Sequence, residues 1–275
     1  EKLVICRNCG LIFSNSNYDY NFFLEYMQIH DGTDPLHYDE NLLAVDKYYS
    51  LAKHNARMKK ILSLAKNVNQ KKLKFLEVSS YRSWALDKSN ILFDAYGIEP
   101  HSDSVKFSNH KFPHLSKKVK NSLFEMEENG FLNENKFFDI VLFSMCIRHM
   151  QNPHRSLEIL KNITNENSIV IIDESEYLDD VCEKIISQKN KIEDFSYLFT
   201  LSKMYYYSKI HIIYLMNKYS FELIDDYFTK DEKYPSLIQS TLIFKKNNKI
   251  IKKSFDEELK NNYENVKIVN DSKSI

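Results

Sequence analysis

Glycine is nearly missing from this chain, with four in 275 residues. No P-loop and no glycine-rich dinucleotide fingerprint appears, which argues against a nicotinamide dehydrogenase, because such loops need positive φ and close backbone approach to a phosphate. No Ser/His/Asp order of a hydrolase appears either. Cysteine is sparse: there are four, two of them in one CxxC. That is no disulfide framework, and it suits a reducing compartment, so the chain reads as cytoplasmic. Long apolar runs are absent; Ile169–Ile172 is far short of the roughly 20 residues that span a bilayer. The start shows no secretory n-region and h-region. Net charge is also absent, with 38 Lys and Arg against 38 Asp and Glu, so nothing draws the whole chain toward nucleic acid or membrane. What is abundant is aromatic, 18 Tyr and 18 Phe, which favours a packed core over disorder. The length suits one large domain with small additions.

The organising stretch is Phe75 to Pro100. A short apolar run (Phe75, Leu76, Val78) is broken only by Glu77. A polar turn, Ser79-Ser80-Tyr81-Arg82-Ser83, follows. A mixed segment around Trp84–Leu92 leads to a second strand, Ala95–Ile98, that ends in Glu99 and Pro100. This is half of a nucleotide-binding α/β unit. In such a unit the first turn passes under the cofactor, and the acid ending the second strand accepts from ribose hydroxyls. Glu99 lies 22 residues past Glu77, which fits the expected separation of roughly 20. The turn itself holds no glycine.

Cys6-Arg7-Asn8-Cys9-Gly10 lies between two β-like runs and has the form of half a zinc knuckle; tetrahedral zinc needs two more ligands. A redox pair and two free thiols are the alternatives. Residues 15–40 read as a polar linker, in which His30, Asp31, Asp34 and His37 are too irregularly spaced for a metal site. Residues 41–68 read as a helix, with Leu51, Met58, Ile61, Leu62 and Ala65 at helical spacing. The basic residues around them (Lys47, Lys53, Arg57, Lys59, Lys60) read as a solvated face. A helix follows at 102–110, then a short strand at 121–125. Residues 137–145 give the strongest strand signal, a near-continuous apolar run as expected of a strand buried on both faces. Asn152 then offers an N-cap and Pro153 a first helical residue. Residues 168–173 form another buried strand, ending at Asp173-Glu174. Residues 175–207 read as a helical insertion or lid, 208–218 as a helix, and 221–224 and 237–244 as two closing strands. The tail from 247 is charged, Asn-rich and expected to be mobile.

This pattern resembles class I S-adenosylmethionine-dependent methyltransferases, and more closely bacterial members with an N-terminal CxxC zinc module that modify sugars or secondary metabolites. CRNCGLIF is similar to the second half of that module, FLEVSSYRS to the glycine-rich loop, GIEP to the ribose-binding strand end, and FFDIVLFSMCIRHMQNP to the fourth-strand motif. The resemblance implies an α/β fold: a Rossmann-like, seven-stranded, mostly parallel sheet with helices on both faces and an antiparallel last strand. It divides the chain into a partial zinc module and linker at 1–32, a helical lead-in at 33–70, the methyltransferase domain at 71–247 and a tail at 248–275. It also implies S-adenosylmethionine as cofactor and zinc at Cys6 and Cys9, completed from elsewhere. Glu77 would face the cofactor amine region, and Ser79, Ser80 and Tyr81 would line its methionine and ribose side. Glu99 would hold the ribose, Leu123 and Phe124 would flank adenine, and Ser144 would sit beside the methionine part. His149 is the first candidate for a general base, with a structural or capping role as its alternative. His154, His211, Glu174 and Tyr205–Tyr207 are weaker candidates. The implied partner is a small-molecule or sugar acceptor, with no nucleic acid, no membrane and an open oligomeric state. The rival reading is a methyltransferase-like fold that serves as a binding or assembly subunit.

Overall fold

A computed structural model of the chain describes residues 3–14, 19, 21–22, 25, 40–64, 72–127, 130–174, 177–182, 203–230, 238–249 and 254–271. The expected linker histidines and most of the expected lid lie outside these residues. Strands β1 (Leu3–Ile5) and β2 (Ile12–Ser14) form a hairpin. Helix α1 follows (Glu40–Leu64), then β3 (Lys74–Val78), α2 (Trp84–Leu92), β4 (Asp94–Glu99), α3 (Ser102–Lys111) and β5 (Val119–Asn121). The second half runs through α4 (Phe131–Glu134), β6 (Phe138–Ser144), α5 (Pro153–Ile163), β7 (Thr164–Glu174), β8 (Tyr205–Tyr206), α6 (Lys209–Lys218), β9 (Phe221–Lys230), β10 (Ile238–Lys246) and α7 (Asp256–Asp271).

Seven strands make one sheet in the order β5-β4-β3-β6-β7-β10-β9. Neighbours from β5 to β7 pair in parallel, and β10 runs antiparallel to both β7 and β9. Period-two alternation splits the core. Val141 and Phe143 of β6 face Leu157 and Leu160 of α5 and Ile212 and Met216 of α6. Ile140 and Leu142 face the other way, toward Met58 and Ile61 of α1, Leu86 of α2 and Val105 of α3. Strands apolar on both faces are what this sandwich of helices, sheet and helices requires. The chain winds outward from β3 to β5, then returns to β6 on the other side. The strand order therefore reverses between β3 and β6, and the carboxyl ends there open a crevice suited to a ligand.

Three expectations are corrected. The strand expected at 121–125 ends at Asn121, and Phe124–Met126 form a short 3-10 turn instead. Tyr205-Tyr206 pairs with β2 and so belongs to the hairpin sheet. Within the tail, Asp256–Asp271 is a helix with Asn262 and Val266 buried. Its composition is polar, but one face packs on the hairpin: a Cβ on Gly10 (φ +77) would lie 2.8 Å from the Tyr263 Cα. No helix among the described residues is long and apolar enough to cross a membrane.

Candidate active site

The loop after β3 takes the shape its composition does not suggest. Ser79 (φ 64), Tyr81 (φ 48) and Ser83 (φ 59) all occupy the left-handed region. A residue with a Cβ is disfavoured there by roughly 1–2 kcal/mol. Alternate residues of the turn thus hold the conformation that glycine would adopt without strain. Hydrogen bonds enforce it. The Ser79 and Ser80 amides both donate to the Ile98 carbonyl (2.8 and 3.2 Å), and the Ser83 amide donates to the Ser80 carbonyl (2.8 Å). Gly97 of β4 completes the fit, since a Cβ there would stand 2.8 Å from Ser80 Oγ and from Leu86 Cδ2.

Glu99 anchors the loop from the next strand. Its Oε2 accepts from the Tyr81 amide at 2.7 Å and its Oε1 from the His101 amide at 2.8 Å. The carboxylate is buried. The Tyr81 ring lies over the Arg82 guanidinium, 4.5 Å from ring centroid to Cζ, and is not among the groups lining the crevice.

The crevice at the strand ends has an empty volume of about 560 Å³ including its mouth, and Ser79, Pro100, Leu123, Phe124, Met145 and His149 are among its walls. The structure therefore brings Ser79, Leu123, Phe124 and His149 together. Glu77 and Ser144 lie on the opposite face, beneath α1. There Ser144 Oγ stands 3.5 Å from Arg57 Nη1, and Glu77 is buried with its Oε2 lacking a partner.

Burial lifts the Glu77 carboxyl from 4.5 to about 7; Arg57 works against the rise, and Asp173 and Glu99 add to it. Between these values the folded protein holds a proton that the unfolded chain has released. Stability from this group is therefore present below pH 4.5 and is lost as pH rises through about 7. Glu77→Gln is expected to flatten that slope and to gain on the order of 2 kcal/mol over the parent above neutrality. Urea midpoints of the two proteins at acid and alkaline pH check this, and parallel pH profiles would refute it.

A second stability prediction concerns the loop. Ser83 precedes α2 but makes no side-chain cap bond, and its Oγ is buried without a partner. Ser83→Gly removes the left-handed strain and the orphaned hydroxyl, against a glycine entropy cost of about 0.5–1 kcal/mol. A rise of the urea midpoint equivalent to about 0.5–1 kcal/mol is expected. A fall would mean that Ser83 is not strained.

Sequence reasoning missed the residues under α1. Arg57 is not on a solvated face. It is buried and pairs with Asp173 at 2.8 Å, both side chains being almost fully enclosed. Burial pushes the Asp173 carboxyl up, while Arg57 and a bond from Thr241 Oγ1 (2.7 Å) limit the rise. Arg57 lies four residues before the buried Ile61, and that spacing was the available signal.

Most of the weaker base candidates are engaged elsewhere, while the Tyr207 hydroxyl is buried without a hydrogen-bond partner. His211 Nδ1 accepts from the Ser208 amide at 3.1 Å, which leaves Nε2–H to donate to the Cys9 carbonyl at 2.9 Å. Burial keeps this ring neutral, with a pKa of about 4. His154 meets the Tyr219 hydroxyl at 3.0 Å, and Glu174 pairs with Arg148. Tyr205 donates to the Gln151 carbonyl at 3.1 Å.

Cys6 and Cys9 sit together in the hairpin turn, as their spacing requires; the two further ligands that tetrahedral zinc needs do not stand beside them among the described residues. No cluster of three or more His, Cys, Asp or Glu side chains stands there. The turn is instead docked through the Cys9 carbonyl, which also accepts from Asn262 Nδ2 at 2.7 Å. Burial works to raise the Cys6 thiol, yet hydrogen bonds at Asn8 and Cys9 bring it below its ordinary value. Cys9 is pushed up to about 11, by burial first.

A mostly parallel seven-stranded sheet closed by an antiparallel strand, with its crevice at the strand reversal, is the Rossmann-like architecture of the methyltransferases. The family model described as "Methyltransferase domain" matches residues 50–225, and the chain belongs to that family. Its structure is similar to the N-methyltransferase NodS of Bradyrhizobium japonicum (TM-score 0.54, 8% identity, 83% of this chain and 98% of that one). It is also similar to the 1,6-didemethyltoxoflavin N1-methyltransferase of Burkholderia thailandensis (0.54, 10%, 89% and 98%). A methyltransferase from Archaeoglobus fulgidus is a further neighbour (0.52, 14%, 76% and 100%). At these identities the likeness is one of fold. No curated protein matches the sequence.

Proposed function

We propose that the chain is an S-adenosylmethionine-dependent methyltransferase acting on a small molecule or sugar, with residues 71–247 carrying the reaction. The observation that carries this reading is the loop conformation. Three non-glycine residues are held at positive φ and tied to a buried Glu99. Strain of this kind persists only where the surroundings over-determine it, and such positions cluster at functional sites. Two of the structural neighbours carry S-adenosylhomocysteine in their structures, one of them together with its small-molecule substrate.

The residues present fit such a cofactor. Glu99 stands at the end of β4, where an acid accepts from ribose hydroxyls in such folds. Leu123 and Phe124 offer apolar walls to a flat base, and the Ser79 turn admits close approach. The cofactor would supply a methyl group on a sulfonium. The chain's own part is to orient the acceptor, exclude water and, for an oxygen or carbon acceptor, take up its proton; His149 in the crevice wall is the proposed base. Zinc has no part in this reading.

The test is calorimetry of the folded chain with S-adenosylhomocysteine. Micromolar binding is the expected result. Absence of binding at high concentration would leave the alternative, a fold without catalysis that serves as a binding or assembly subunit. With binding established, His149→Ala should abolish transfer to an oxygen or carbon acceptor while leaving cofactor affinity intact.

A further inference from the structure

Two short 3-10 turns contribute to the crevice wall, Phe124–Met126 and Ile147–His149. Leu123, Phe124 and Glu125 line the space from the first, and Cys146, His149 and Met150 line it from the second. Glu125 joins the two. It is 4% exposed, and its carboxylate is turned to backbone. Oε1 accepts from the Gln151 amide at 3.0 Å and from the Asn152 amide at 3.4 Å. Hydrogen bonds of a carboxylate to amides are roughly twice as strong as neutral ones. Burial raises the pKa of this carboxyl, while the bonds from Asn152, Ser156 and Gln151 oppose the rise.

The two amide bonds do not cap helix α5. That helix has its own cap in Asn152, whose side chain accepts from the Arg155 amide at 3.0 Å, and the Gln151 and Asn152 amides precede its first residue, Pro153. They belong to the connection that leads from His149 into the helix. The same connection is held at other points. The Gln151 carbonyl accepts from the Tyr205 hydroxyl at 3.1 Å. The Arg148 carbonyl accepts from the Met204 amide at 2.8 Å, and the His149 amide donates to the Cys146 carbonyl at 2.9 Å. The backbone is thus fixed on both sides of His149, and Glu125 makes that fixation continuous with Leu123 and Phe124.

We propose that Glu125 is a positioning residue: it ties the turn of Leu123 and Phe124 to the loop of His149, and so sets the His149 ring relative to a nucleoside held against those walls. The inference deepens the methyl-transfer reading and rests on it for the role of His149. A misplacement of about 1 Å at a reacting group can cost about 100-fold in rate, which gives a tether of this kind its purpose. The carboxylate acts through the two amides alone, so an uncharged oxygen at the same place does the same work.

The experiment is NMR of the histidine rings in the full chain, with the His149 signal identified by its loss in His149→Gln and adenosine as the probe. The proteins are wild type, Glu125→Ala, Glu125→Asp and Glu125→Gln, each checked for folding by circular dichroism. Alanine removes the acceptor, aspartate withdraws it by one methylene, and glutamine keeps an oxygen for both amides. Without ligand, the His149 signal should move in the Ala and Asp variants, stay near wild type in Glu125→Gln, and leave the other histidine signals in place. Adenosine should shift the signal in wild type and Glu125→Gln. In the Ala and Asp variants it should bind within about threefold of wild type with that shift lost. An unmoved His149 signal in Glu125→Asp and in any folded Glu125→Ala would overturn the proposal. So would movement of all histidine signals together, the mark of a general structural role, or a wild type that binds adenosine without a shift at His149. A wild type that does not bind adenosine defeats the methyl-transfer reading by itself, and the ligand-free spectra still decide whether Glu125 holds His149.

Discussion

Arg57→Met is expected to lower the unfolding free energy by about 3–5 kcal/mol, the usual consequence of removing one partner of a buried ion pair. Both side chains are out of reach of water, at 2% exposure for Arg57 and 0% for Asp173. One Asp173 oxygen would still accept from Thr241 Oγ1. The other would lose its hydrogen-bonded counterion, with only the Lys53 charge left to oppose it, and methionine fills the volume but not the charge. The cost arises from the stranded partner, so Arg57→Met with Asp173→Asn should recover most of the loss. Urea denaturation of the two single variants and the double variant measures this. A loss below about 1 kcal/mol for Arg57→Met would show that solvent reaches Asp173.

Glu99→Ala is expected to weaken S-adenosylhomocysteine binding by at least about a hundredfold, or roughly 3 kcal/mol. The substitution acts twice. It removes the acceptor proposed for the ribose hydroxyls, and it releases the Tyr81 amide, which Oε2 now holds at 2.7 Å. The loop carries left-handed strain at three positions, so one lost restraint lets it relax away from the crevice. Glu99→Gln keeps an acceptor without the charge and should fall between parent and Ala. Affinity of Glu99→Ala within about threefold of the parent would remove Glu99 from the site.

The alternation of strand and helix was readable because its causes are local. The run at 137–145 yields β6 at Phe138–Ser144. Asn152 caps α5, accepting from the Arg155 amide at 3.0 Å, with Pro153 in the first turn. Glu99 was readable as a strand-end acid because its distance from Glu77 is set by one strand–helix–strand unit. The seven-stranded, mostly parallel sheet with its antiparallel last strand followed from family resemblance.

The sequence by itself thus determined the alternation of strands and helices and the acid at the end of β4, since periodicity and spacing act over a few residues. Only the tertiary structure decided three further matters. The Ser79–Ser83 turn keeps a glycine-like path because bonds to Ile98 and Glu99, from a different strand, outweigh its local strain. Arg57 and Lys53, which look solvated in isolation, are enclosed because their helix face packs over the ends of β6 and β7, where Asp173 and Met145 meet them. A charged tail becomes a docked helix because the hairpin offers Gly10 and the Cys9 carbonyl to it. In each case the deciding partner lies far away in sequence, and no local pattern encodes it.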